Sequence, residues 1–188
     1  MVFTDSEIVD GELNPLLPSM TRSQKLNRSR FTPGRTIIQN YASGNTMLFN
    51  RALQQAALPI GERAVMHDHW VTLAAALFGA VSYVDVATIF YRQHGNNVLG
   101  AFRYDCKSCW KKLIAESGQF RQKLYRKLEQ AQDLLEQHRA TLTAEQSVLL
   151  DGLKKFKAMN KFARWLFLLR NDMLHEGLLR NIALFICC

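Results

Sequence analysis

Residues 66–97 read MHDHWVTLAAALFGAVSYVDVATIFYRQHGNN, and this stretch decides how the chain folds. A polar HDHW group opens an apolar run that is compatible with a helix ending at Gly79. Two β-rich runs follow, VSYVDV and TIFYR, and then QHGNN, whose Gly and Asn residues tolerate left-handed turn conformations. We therefore expect a helix followed by a buried strand, with His94 lying just past a strand that returns near Asp68.

The positive charge of the chain is concentrated in its second half. Residues 1–102 contain 8 Lys and Arg against 7 Asp and Glu, whereas residues 103–188 contain 16 against 9. A basic excess of this kind indicates either a phosphate-rich partner or a helix face in contact with water. The overall composition, 48% hydrophobic and 21% charged, excludes an intrinsically disordered chain.

The sequence shows no membrane-spanning or targeting segment. No apolar run reaches the roughly 18 residues of a spanning helix. The N-terminal MVFTDSEIVDGELN lacks the basic region and apolar stretch of a signal peptide. We expect a cytoplasmic protein, with the inner face of the membrane as one location.

A change of sequence pattern near residue 103 divides the chain into two regions, 1–102 and 103–188. In the second region the apolar residues fall into helical spacing, namely Phe120, Leu124, Leu128, Ala131 and Leu135. A further helix is expected to start at Thr143, and FARWLFLLR and LLRNIALFI predict two shorter ones. The fold class is therefore α/β followed by a mainly α-helical region, whose helices form a bundle or pack against the first region. Residues 18–36, rich in Ser, Arg and Pro, predict a long loop.

The four cysteines do not form a convincing metal or redox motif. Cys106 and Cys109 form CKSC, and Cys187 and Cys188 are adjacent at the end of the sequence. Structural zinc sites usually use two spaced pairs, and no thioredoxin-like strand–helix unit surrounds CKSC. We expect reduced thiols.

The HDHW group has a structural and a functional interpretation. Asp68 suits the N-cap of the helix that follows, a role worth about 1 kcal/mol. That role explains neither His67 nor His69, and two histidines at this spacing are only a weak metal signal. A hydrogen-bonded structural histidine is the alternative for each.

The run IIQNYASGNTMLFNRAL, followed by HDHW and then YRQHGNN, resembles the second half of the catalytic domain of family-two glycosyltransferases. The most similar group is the bacterial rhamnosyltransferase-like enzymes that build surface polysaccharides. The resemblance covers residues 1–102 almost continuously and continues more weakly as a basic helical tail. It implies part of a nucleotide-diphosphate-sugar transferase fold. It also implies an inverting transfer of sugar from such a donor to a polysaccharide or lipid-linked acceptor.

The resemblance assigns roles to individual residues. Asp68 matches the carboxylate that deprotonates the acceptor hydroxyl. His94 matches a residue beside the donor diphosphate and its divalent metal, Mg²⁺ or Mn²⁺, and Arg92 would assist in neutralising the leaving diphosphate.

Four further residues match the sugar and acceptor pocket of the family. They are Gly44, Asn45, His67 and Trp70, although Trp70 suits the protein core equally well. Asn45 stands where the group usually has Cys, and His69 stands where it usually has an aromatic residue. These departures predict an altered sugar or acceptor preference.

The half of the catalytic domain that binds the donor in this family is missing from the sequence. It ends in an Asp-x-Asp motif that holds the metal, and no Asp-x-Asp occurs in these 188 residues. We expect the C-terminal part of a longer enzyme, inactive alone, whose exposed strand edges favour self-association.

The alternative to a glycosyltransferase is a non-catalytic helical interaction module. KKFKAMNKFARWLFLLR, residues 154–170, mixes basic residues with Phe, Trp and Leu, a composition typical of helices at membrane surfaces. Its partner would be an anionic membrane surface or a protein. Nucleic acid is not expected, because no recognised binding motif is present.

Overall fold

The computed structural model describes residues 1–27, 29–93 and 117–188. Its strands are β1 (Val2–Val9), β2 (Pro15–Leu17), β3 (Met47–Leu48) and β4 (Ser82–Arg92). The helices are α1 (Met20–Ser23), α2 (Pro33–Ile38), α3 (Arg51–Ala57), α4 (His67–Phe78), α5 (Ser117–Gln137), α6 (Ala144–Lys155), α7 (Lys161–Arg170) and α8 (Leu178–Cys187). The described residues thus combine a small sheet with several helices, as the mixed α/β composition predicts.

β1 lies at the centre of the sheet. It runs parallel to β4 from Val2, opposite Ser82, to Val9, opposite Arg92, with a shift of register around Asp5. The short strands β2 and β3 pair with it antiparallel at opposite ends. Because β1 and β4 are parallel, their carboxyl ends meet at one edge of the sheet, where ligand sites of α/β proteins usually form.

The prediction that the strand after Gly79 is buried was wrong. VSYVDV and TIFYR contribute to one continuous strand, β4, and most of its side chains are exposed. Val84, Val86 and Phe90 are 42%, 55% and 64% exposed. Continuous apolar composition indicates a strand covered on both faces, but the helices described here pack their apolar residues elsewhere.

The prediction of a long loop over residues 18–36 was also wrong, because two short helices occur there. The Ser19 side chain caps α1 by accepting from the Arg22 N–H, and the Thr32 side chain caps α2 by accepting from the Arg35 N–H. Pro33 at the first position of α2 is the usual place for proline in a helix. Arg28 lies outside the described residues.

The predicted helices of the second region are confirmed. Thr143 caps α6 in a complete capping box with Gln146. Of the two predicted arrangements, a bundle or packing against the first region, the structure shows the second. Both regions contribute to one hydrophobic cluster. Its fully buried members include Ile37, Trp70, Leu73, Leu134, Leu135 and Leu168. The predicted boundary between residues 102 and 103 lies outside the described residues.

A close junction joins α2 to the turn after α7. A Cβ atom on Gly34 would lie only 1.7 Å from the carbonyl oxygen of Asn171, so no larger residue fits there. Next to it, Arg35 donates to Asp172 and, at 2.8 Å, to Glu176. This α2–turn junction fixes the second region against the segment that leads into the QNYASGN motif.

Among the described helices, none has the length and apolar character needed to cross a membrane.

Candidate functional site

A cleft of about 180 Å³, lined by both polar and apolar groups, opens beside the first turn of α4. Its walls come from β1, α1 and the segment after it, the QNYASGN motif, α4 and the end of β4. The side chains that line it include Gln24, Asn40, Ser43, Thr46, Asp68 and Tyr91. Between them, hydroxyl, amide and carboxylate groups can donate hydrogen bonds to a small polar ligand and accept hydrogen bonds from it.

Asp68 presents a partly engaged carboxylate to this cleft. Its Oδ1 accepts a 2.7 Å hydrogen bond from the His69 N–H. Its Oδ2 has no hydrogen-bond partner among the described residues. Asp68 lies in the first turn of the 12-residue α4, where the helix dipole stabilises a negative charge. The carboxylate can therefore accept a proton from a ligand in the cleft without breaking a contact that supports the fold.

The expected N-cap role of Asp68 is corrected by this geometry. The N-cap position belongs to Met66, whose backbone is extended and whose side chain makes no capping bond. Helix α4 begins at His67, so Asp68 is its second residue, and among the described residues its carboxylate accepts only from the N–H of its immediate neighbour. Helix capping is therefore a weaker explanation for an aspartate at position 68 than the sequence suggested.

The structure brings Gly44 and His67 together beside Asp68. A Cβ atom on Gly44 would lie 2.8 Å from Nε2 of His67 and 3.5 Å from Cβ of Asp68. Gly44 and Asn45 are exposed in a short 3-10 helix, Gly44–Thr46, and His67 is exposed as well. Glycine at position 44 thus leaves room for the imidazole at the rim of the cleft.

Trp70 lies in the core, away from the cleft. Its side chain is fully buried, and its Nε1–H donates to the carbonyl oxygen of Ala57 at 2.8 Å. Of the two roles expected for Trp70, packing is the one that its surroundings fit.

His69 is a buried structural histidine. Its Nε2 lies 2.6 Å from the carbonyl oxygen of Thr36, and 2% of the residue is exposed. Burial lowers the pKa of His69 to about 4, with the hydrogen bond to Thr36 opposing the shift and the Lys127 ammonium adding to it. The imidazole is therefore neutral at pH 7, with Nε2 as the donor, and it fastens α4 to α2.

Asp5, which lies outside the motifs discussed above, is the carboxylate of the cleft with the most hydrogen bonds. Asp5 is 3% exposed and accepts from Ser19 Oγ, from the Ser6 N–H, from the Thr21 N–H and Oγ1, and from Tyr83 OH. Burial opposes its ionisation, but hydrogen bonds from Ser19, Thr21 and Ser6 outweigh it and lower the pKa. Asp5 therefore orders one wall of the cleft, and because its lone pairs are occupied it is not suited to proton transfer.

The sequence gives only a weak indication of the hydrogen bonds around Asp5. Asp5 precedes Ser6 in TDS, and Ser19 and Thr21 lie in a stretch rich in hydroxyl residues. Only the tertiary fold brings residues 14 to 78 positions apart onto one carboxylate.

Of the two expected donor-side residues, the structure describes only Arg92. Arg92 ends β4 and is exposed, and it is not among the residues that line the cleft, whereas its neighbour Tyr91 is. His94 lies outside the described residues, as do Cys106 and Cys109. Cys187 and Cys188 are buried free thiols.

The described residues contain no group of three or more His, Cys, Asp and Glu side chains placed to hold a metal ion. His94, which the resemblance assigns to the divalent metal, lies outside the described residues.

Comparison of the chain with protein-family models, with curated proteins and with solved structures gave no match.

Proposed function

We propose that the chain is the acceptor-side part of an inverting glycosyltransferase. It would transfer a sugar, rhamnose in the narrowest form of the proposal, from a nucleotide-diphosphate donor to a polysaccharide or lipid-linked acceptor. The observation that carries the proposal is the Asp68 carboxylate, which lines a hydroxyl- and amide-rich cleft and has one oxygen without a partner among the described residues.

The chemistry requires one base and a polar pocket. In an inverting transfer, the acceptor hydroxyl attacks the anomeric carbon as its proton passes to a carboxylate, and the nucleoside diphosphate leaves from the opposite face. Asp68 Oδ2 would take the proton while Oδ1 stays bonded to the His69 N–H, which holds the carboxylate in place. Asn40, Ser43 and Thr46 would bind hydroxyl groups of the sugar or the acceptor.

The remaining assignments follow from the resemblance. His67 and Asn45 would border the acceptor, next to Gly44. Arg92 and His94 would act on the donor diphosphate. The second region would hold the QNYASGN segment in position through the α2–turn junction and through Tyr41, which lines the cleft and donates to Glu176 at 3.2 Å.

The test is Asp68→Asn in the complete open reading frame that contains these residues. Asparagine keeps the size of the side chain and an oxygen that accepts from the His69 N–H, but it cannot take a proton. We expect transfer from labelled nucleotide sugars to lipid-linked acceptors to fall about a hundredfold or more, with unchanged thermal unfolding.

Asp151→Asn is the matched control, because Asp151 is an exposed carboxylate on α6 away from the cleft. This variant should transfer normally. Full transfer by Asp68→Asn would remove Asp68 as the base, and absence of transfer from every nucleotide sugar by the unmodified protein would overturn the proposed function.

A further inference from the structure

Helix α7 carries an apolar stripe that faces water. Phe162, Trp165, Leu166 and Leu169 follow the i, i+3, i+4, i+7 spacing that normally faces a protein core. They are nevertheless 74%, 37%, 38% and 55% exposed. Leu168, on the side of α7 that packs inward, is fully buried. The stripe is therefore additional to the residues that hold α7 in the fold.

Helix α8 extends this stripe into a wider surface. Leu178, Leu179 and Ile186 are 75%, 41% and 52% exposed. Trp165 joins the two helices, because its Nε1–H donates to the Phe185 carbonyl oxygen at 2.9 Å and the two rings meet edge to face. We call these seven exposed residues of the two helices the α7–α8 apolar surface.

The charged side chains of α7 are all basic, namely Lys161, Arg164 and Arg170. Residues 152–171 contain six basic residues and no acidic one, and two of the six, Lys154 and Lys157, pair with glutamates of α5. Viewed down α7, Lys161 and Arg170 flank the stripe on opposite sides. The Lys161 ammonium also lies 5.6 Å from the centre of the Trp165 ring. An apolar centre with a cationic rim and a tryptophan between them is the arrangement of helices that lie in a membrane interface.

We propose that the α7–α8 apolar surface docks on an anionic lipid bilayer. The apolar side chains would enter the boundary between headgroups and acyl chains, and the cations would contact lipid phosphates. A second copy of the chain fits less well, because pairing this surface with itself would bring two cationic rims together. The inference stands on α7 and α8 alone and does not depend on the proposed sugar transfer.

The experiment measures sedimentation of the chain with vesicles. We expect binding to vesicles of phosphatidylglycerol and phosphatidylcholine in equal amounts, weaker binding at high salt, and little binding to phosphatidylcholine alone. Phe162→Gln should weaken partitioning about tenfold, the loss expected when one large apolar side chain no longer enters the bilayer.

Val148→Gln is the matched control, since Val148 of α6 is 71% exposed and lies outside the surface. Both variants should unfold at the temperature of the unmodified chain. The proposal is overturned if the two variants bind alike, if the anionic vesicles bind no better than neutral ones, or if Phe162→Gln abolishes self-association without changing vesicle binding.

Discussion

The His69 imidazole is held neutral in the core, between α4 and the Thr36 carbonyl oxygen. Its pKa is lowered from 6.5 to about 4 in the folded protein, chiefly by burial. Because the unfolded chain binds a proton at higher pH than the folded chain, the contribution to stability is complete above pH 6.5. It is lost as the pH falls toward 4, by about 3 kcal/mol in total.

Replacement of His69 by Gln tests this pH dependence at a single residue. The amide can still donate to Thr36 but does not titrate, so the free energy of unfolding should fall less steeply between pH 6.5 and 4 than in the unmodified chain. His175, whose pKa is lowered to about 3 mainly by burial, contributes in the same range, so some slope will remain. Urea unfolding at a series of pH values measures both curves, and parallel curves would show that His69 does not titrate as described.

At the scale of elements, the α2–turn junction depends on the absence of a side chain at Gly34. Alanine there would place its Cβ atom against the Asn171 carbonyl oxygen and separate Arg35 from Asp172 and Glu176. Overpacking of this kind costs about 1–3 kcal/mol. We therefore expect Gly34→Ala to lower the urea midpoint of unfolding clearly.

Gly118→Ala is the matched control for this junction. Gly118 is the second residue of α5, and apart from its chain neighbours and the helix backbone no atom of the described residues lies within 4 Å of the position of an added Cβ atom. Alanine is favoured over glycine in a helix by up to roughly 0.5–1 kcal/mol. The two substitutions should therefore change stability in opposite directions. A neutral Gly34→Ala would mean that α2 and the turn can separate without cost.

The elements that could be predicted from sequence are those that carry local signals. The periodic leucines of α5 and the Thr143 capping box of α6 act within a few residues, so the sequence alone locates them. The exposure of β4 and the hydrogen bonds to Asp5 depend on which elements pack together, which no local pattern records. For the candidate site, the structure places Gly44, His67 and Asp68 close together and Trp70 in the core, whereas the sequence left Trp70 open between the core and the pocket.

At the scale of the whole molecule, the two regions of the sequence share one core. Leu134 of α5 is fully buried in the same cluster as Trp70 and Leu73 of α4. Two regions that bury each other's apolar surface should unfold as one cooperative unit rather than as separate domains.

Replacement of Leu134 by Ala tests this coupling, because it should cost about 2–5 kcal/mol by opening a cavity in the shared core. Hydrogen exchange by mass spectrometry would then show faster exchange in α4 and in α6 by the same factor, although Leu134 belongs to neither helix. Val148→Ala, at an exposed position of α6, should leave both rates unchanged. If exchange accelerates in α6 while α4 keeps its protection, the regions unfold independently. In that case the contacts of α4 with the second region would not contribute to holding Asp68 in place.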